Sequence, residues 1–242
     1  MNRAPVFNLP PVVVWLAAAL AAVHGVRQLI GPAADTWVLL AFAFIPARYG
    51  EIGAALPGGL AARLWSPVTY AFLHADAVHL IVNLVWMASF GGALARRFGA
   101  MRFLLLSVLS AAAGAALYCL VRAGEEALMI GASGAVSGMM AATARFAFSP
   151  GGPLAGGGRS PEAYRLPADG LGTVIRSSRA LGFILMWFAV NLIFGLAGGL
   201  VPGAAGPIAW EAHIGGFLAG LLAFPLFDPV PRERTPGDEL AS

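Results

Sequence analysis

The 242-residue sequence contains no lysine, a single cysteine and only 12 acidic residues. Charged residues make up 11% of the chain against 59% hydrophobic ones, and the mean hydropathy is +0.78. A water-soluble domain, in which about a quarter of the residues carry charge, is excluded by that balance. The lone Cys119 excludes an intramolecular disulfide, reads as a buried free thiol and leaves the redox compartment open. Metal ligation by His74 and His79 lacks a cysteine or an intramembrane carboxylate to complete a site. Paired intramembrane charges are also missing, which argues against a small solute transporter. No internal repeat and no second domain is visible.

What is present is a set of long uncharged runs: 4–26, 77–95, 103–121, 127–144, 180–210 and 212–227. Most reach the roughly 20 residues an apolar helix needs to cross a hydrocarbon core about 30 Å thick. The expected fold class is therefore all-α, a polytopic membrane protein with six transmembrane helices. The last run is short, but Ala209 and Trp210 extend it and put Glu211 near an interface. A signal-peptide reading of the first run, WLAAALAAVHG after Arg3, is disfavoured by the single arginine and by the spans that follow.

All basic residues are arginine, and their distribution orients the chain. With a cytoplasmic N-terminus, the inner segments hold Arg3, then Arg96, Arg97 and Arg102, then Arg145, Arg159, Arg165, Arg176 and Arg179, then Arg232 and Arg234. The outer segments hold only Arg27, Arg48, Arg63 and Arg122, so both termini are expected in the cytoplasm. The net charge of +3 is thus a topology signal and gives no reason to invoke nucleic acid. An all-arginine basic set fits a GC-rich bacterial genome, hence a bacterial inner (plasma) membrane.

The domain plan is a cytoplasmic N-terminus over 1–9, a membrane domain over 10–228 and a disordered cytoplasmic tail over 229–242. An outer segment at about 27–63 contains TWVLLAFAFIP, too short to cross and expected to lie in the interface with Trp37, Phe42, Phe44 and Tyr49 at headgroup level. A Pro/Gly-rich stretch, SPGGPLAGGGRSPEAYRLPADG, opens a cytoplasmic linker at about 149–179.

Polar groups inside a bilayer are expensive, so each needs an account. His79, Asn83, Ser133 and His213 stand out. With the N-terminus inside, the second, fourth and sixth spans run from outside to inside. His79, Ser133 and His213 lie early in those three spans and so share one depth. His79 and Asn83 are i and i+4, neighbours on one face. His213, Gly216 and Gly220 form one stripe, whose Gly-x-x-x-Gly pair lets a partner backbone approach closely. The fourth span has its own small surface, Gly131, Gly134 and Gly138 around Ser133. If the two surfaces meet, the imidazole is carried to the hydroxyl. Alone, Ser133 reads as a packing serine and His79 with Asn83 as interhelical glue; their coincidence at one depth argues for chemistry. His74 is expected to be interfacial and His24 a polar residue near the outer end of the first span.

Serine and histidine within reach make an activated nucleophile, with the histidine as the general base. Glu211 lies about 200° round the helix from His213, and Asp76 a turn outward from His79, so a dyad is expected. Oxyanion donors are the Ser133 backbone N–H, His79 and Asn83.

GASG at 131–134, HLIVN with His79 and Asn83, and AHIGGFLAG with His213 together resemble the rhomboid family of intramembrane serine proteases, over about residues 10–228. The resemblance implies a six-helix rhomboid-like bundle, Ser133 as nucleophile, His213 as base, and His79 with Asn83 as oxyanion donors. It also implies hydrolysis of transmembrane protein substrates in or beside their membrane segments without a cofactor, with the fifth helix and the following loop as substrate gate. Two positions depart. Ser137 stands where some relatives carry an aromatic that packs on the base, and Ala95 where the family's glutamate is expected. A rhomboid-like protein that binds membrane clients without cutting them is the alternative.

Overall fold

The computed structural model describes residues 8–158, 160–197 and 209–231. Among these residues only one β interaction forms, an isolated antiparallel bridge between Phe44 and Met129. Everything else is helix and connection. α1 (Pro11–Leu29) starts with a proline at its first position, where the missing N–H has no intrahelical partner to lose. α2 (Pro32–Phe42) starts the same way after Gly31, and α3 (Ala62–Thr69) follows several short 3₁₀ turns. α4 (Ala77–Trp86) is capped by Asp76, whose carboxylate accepts from the His79 backbone N–H at 2.8 Å. It continues through a π-helical turn, Met87–Gly91, into α5 (Gly92–Phe98). A π turn disturbs the carbonyl ladder, and Thr143 of the central helix donates to Phe90 O within it at 3.2 Å. α6 (Ala100–Val121), α7 (Ser133–Ala147), α8 (Leu171–Arg176), α9 (Ser178–Ala197) and α10 (Trp210–Phe227) complete the order.

Among the described residues four helices are long and apolar enough to cross a membrane: Pro11–Leu29, Ala77–Phe98, Ala100–Val121 and Trp210–Phe227. With α7 and α9 they form an all-helical membrane bundle compatible with six spans. The long exposed side chains along these helices, Trp15, Leu29, Val78 and Leu120 among them, are what a lipid-facing surface requires.

α7 departs from the span expected at 127–144. The helix starts only at Ser133, and residues 127–132 run without helix, with Met129 paired to Phe44 and Gly131 at φ +119. Its 15 residues reach roughly 22 Å, less than the hydrocarbon thickness. Fourteen of them, all but Ser133, are buried, so this short helix is enclosed by protein and its first residue is set inside the bundle.

Glycine fixes how α6, α7 and α10 pack. A Cβ on Gly216 would collide with Gly134 O, and one on Gly220 with Gly138 O. A Cβ on Gly138 would meet the Ser110 side chain and lie 2.9 Å from Gly216 O. On the other side of α10, Gly215 and Gly114 let α10 and α6 approach closely as well, an added Cβ lying 2.5 Å from Ala113 O and 2.7 Å from Ala212 O respectively. Backbone approach at this distance leaves no room for a side chain.

The outer segment is a built element. Arg48, with no exposed surface, donates to Pro57 O, Gly59 O and Leu40 O, while Arg63 donates to Arg48 O and Gly50 O. Trp37 is exposed, whereas Phe44 is buried against Tyr49, Tyr70 and Tyr118 instead of lying at headgroup level. At the opposite end, the glycine-rich stretch expected to be a linker is tied down. Arg97 forms a buried ion pair with Asp228 at 2.8 Å, donates to Tyr164 O and Leu166 O, and lies over the Phe146 and Phe224 rings. Ser149 donates to the Asp169 carboxylate. Of the tail expected to be disordered, residues 232–242 lie outside the described part, as do residues 1–7 of the N-terminus.

Candidate active site

The close approach of α7 and α10 fixes two side chains. Ser133 is the first residue of α7, and His213 lies in the first turn of α10. With Gly216 seated on Gly134, the His213 Nε2 stands 2.7 Å from Ser133 Oγ. Both residues retain partial exposure, so the pair is reachable from outside the protein core. Because Ser133 opens its helix, its backbone N–H has no intrahelical acceptor.

Gly131 permits the third approach. A Cβ there would lie 2.6 Å from His79 Nε2 and 3.8 Å from Ser133 Oγ, so the His79 ring and the hydroxyl flank the same α-carbon. The positive φ of Gly131 also favours glycine. Asn83 is buried, and its Nδ2 donates to His79 O at 3.0 Å, one turn back on the same helix. The structure thus gathers Ser133, His213 and His79 around one point, with Asn83 a turn below.

His74 differs from the interfacial position expected for it. It has no exposed surface, its ring meets that of His79 edge to face with centroids 5.1 Å apart, and its Nε2 accepts from the Ala132 backbone N–H at 3.5 Å. Arg27, paired with Asp35 at 2.7 Å, donates to His74 O. The chain between α3 and α4 turns inward here, and the imidazole supports the residue before Ser133. Burial, followed by the neighbouring His79 and His24, pushes the His74 imidazole down to about 4.

Two features were not visible in the sequence. The first is Asn191 of α9, whose amide oxygen meets His213 Nδ1 while its Nδ2 donates to Trp187 O at 2.8 Å. The available signal was an amide in an otherwise apolar run, LGFILMWFAVNLIF. The second is the aromatic support of His213. Ser137 is occupied with Ser133 O at 2.7 Å, and the ring nearest the imidazole is Trp187, 6.4 Å away and stacked on Phe217 at 4.9 Å. Glu211 is also buried, its carboxylate held by Arg122 at 2.7 Å, which ties the start of α10 to the end of α6. Among the described residues no group of three histidines, cysteines or carboxylates is arranged to hold a metal ion.

An imidazole against a serine hydroxyl, with a helix-opening N–H and a second imidazole beside it, is an arrangement suited to acyl transfer. Comparison with known proteins points the same way. Residues 61–153 match the family model of the Rhomboid domain, a stretch that holds His79, Asn83 and Ser133 and stops short of Asn191 and His213. The chain is 31% identical over 137 residues to "Rhomboid-like protease 3" of Toxoplasma gondii, covering 53% of this chain and 47% of that protein. It is 27% identical over 163 residues to "Rhomboid protease GlpG" of Yersinia pestis, covering 66% and 47%. It is 26% identical over 160 residues to "RHOMBOID-like protein 7" of Arabidopsis thaliana, covering 66% and 42%. These matches span less than half the length of each relative.

Proposed function

The chain belongs to the rhomboid family, and from that premise we propose that it is an intramembrane serine endopeptidase cutting transmembrane proteins in or beside their membrane segments. The observation that carries the proposal is the 2.7 Å contact between His213 Nε2 and Ser133 Oγ, made by residues 80 positions apart in sequence.

In this reading Ser133 Oγ attacks the carbonyl carbon of the scissile peptide as His213 Nε2 takes its proton. The oxyanion that develops is met by the Ser133 N–H and the side chains of His79 and Asn83. For Asn83 this means exchanging its bond to His79 O for one to the substrate. Collapse breaks the C–N bond, and His213 returns the proton to the leaving amine. A water molecule then attacks the acyl-enzyme, again with His213 as base, to release the new carboxylate. Substrate helices must unwind locally first, because their amides are hydrogen-bonded and screened. The arginine distribution supports both termini in the cytoplasm, and the all-arginine basic set is what supports a bacterial inner membrane.

The test is reconstitution of the full chain in vesicles with a panel of single-span substrates. The intact protein cleaves at least one, and Ser133→Ala and His213→Ala each lower the rate on the order of 10³-fold or more. Binding of these substrates without cleavage by the intact protein would establish the client-binding alternative instead.

A further inference from the structure

His213 has two ring nitrogens, and two other helices each address one of them. Nε2 faces Ser133 Oγ on α7 at 2.7 Å, and Nδ1 faces Asn191 Oδ1 on α9. Which end of the Asn191 amide faces the ring follows from its other contact. Its Nδ2 donates to Trp187 O at 2.8 Å, one turn back on α9, so the nitrogen is turned away and the oxygen is presented to the imidazole. An amide oxygen only accepts, so Nδ1 carries the ring proton and Nε2 keeps its lone pair toward the hydroxyl. That is the tautomer a base at Ser133 requires; the opposite one would place a proton where the hydroxyl proton has to go.

We propose that Asn191 is the positioning residue of the Ser133–His213 pair, holding the imidazole as the Nδ1–H tautomer with Nε2 on the hydroxyl. The kinetic consequence rests on the protease reading above; the tautomer does not. The choice of an amide suits its place. Residues 180–193 are apolar apart from Asn191, and a carboxylate in that run would carry a costly unpaired charge, whereas an amide with both ends bonded does not. The ring is also confined from the side by Trp187, which comes from the same helix and stacks on Phe217 of α10. Among the described residues, the titratable side chain facing His213 from another helix is His79, and Glu211 on its own helix is engaged by Arg122. A purely structural role as interhelical glue makes a different prediction, namely that removing the amide lowers stability and leaves turnover per folded molecule alone.

The experiment compares Asn191→Leu and Asn191→Asp in the reconstituted full chain, with ¹⁵N-histidine spectra assigned by difference against His213→Ala. Asn191→Leu is expected to lower kcat roughly ten- to a hundredfold with KM unchanged, the signature of a contact that matters in the transition state. Asn191→Asp, which keeps an acceptor at Nδ1, restores kcat to within a few-fold of the parent. In the parent protein the His213 signal shows the Nδ1–H tautomer. A kcat for Asn191→Leu within twofold of the parent, or an Nε2–H tautomer in the parent, overturns the inference. If both variants fail to fold, the parent's tautomer decides. If the parent cleaves no substrate, the protease reading falls, while the tautomer and its loss in Asn191→Leu still judge the role of Asn191.

Discussion

Single residues here do more than their types announce. His74 has the least surface of the site histidines and the most connected surroundings, receiving the Ala132 N–H on one side and resting on the Arg27–Asp35 pair through its carbonyl. A buried histidine that stays neutral while the unfolded chain binds a proton must weaken the fold as pH drops. With His74 held at about 4 and the unfolded imidazole near 6.5, its share of stability is present above about pH 6.5 and is lost as pH falls toward 4. Thermal melts of the protein in detergent at pH 7, 5.5 and 4 are therefore expected to fall more steeply than those of His74→Gln, whose amide oxygen still accepts from Ala132. Equal slopes would show that His74 titrates freely. Nothing in the residue pattern signals this burial, because hydropathy sets His74 just before a span and says nothing about a chain that turns inward between α3 and α4. Asn191 was hidden for a related reason: one amide on an apolar helix reads as a packing detail until its partner on another helix is seen. Ser133, His79 and His213 were legible because helix polarity alone sets them at one depth, whatever their rotamers.

At the scale of elements, the decisive object is the glycine seam between α7 and α10. Gly216 and Gly220 face the backbone of Gly134 and Gly138, and the seam lies one turn from Ser133 and His213, so helix separation and the distance between these two side chains are one quantity. Gly216→Val is expected to push the helices apart, destabilise the bundle by about 1–3 kcal/mol, and remove activity in the fraction that folds. Gly25→Ala, whose added methyl meets nothing within 4 Å, is the control: it does not lower the melting temperature and leaves cleavage unchanged. Melting temperature and substrate cleavage on the same preparations check this, and an active, stable Gly216→Val would show that the seam does not set the distance. The Gly-x-x-x-Gly spacing could be read from sequence, but the partner surface could not. The uncharged run expected as the fourth span begins six residues before α7, because 127–132 is as uncharged as the helix that follows. The pairing of Met129 with Phe44 and the positive φ of Gly131 distinguish it.

Over the whole molecule, arginines act as staples at both ends of a bundle whose middle has little polar material. Arg48 and Arg63 close the outer segment, Arg122 ties α6 to α10, and Arg97 binds the inner ends of α5 and α10 to the stretch around residue 165. The arginines from which a topology is expected thus also report structure, since Arg48 and Arg97 are buried among carbonyls. Within this frame α7 is a short enclosed helix whose first residue, partly exposed, meets the His213 imidazole, and the proposed chemistry needs that hydroxyl to be reactive. The most direct measurement of that claim is mass-spectrometric mapping of a fluorophosphonate adduct on the intact membrane protein, with the labelling rate followed in parallel. A single adduct on Ser133 is predicted, absent in Ser133→Ala and formed at least about 10²-fold more slowly in His213→Ala. No adduct, an adduct on another residue, or an undiminished rate without the imidazole would contradict it.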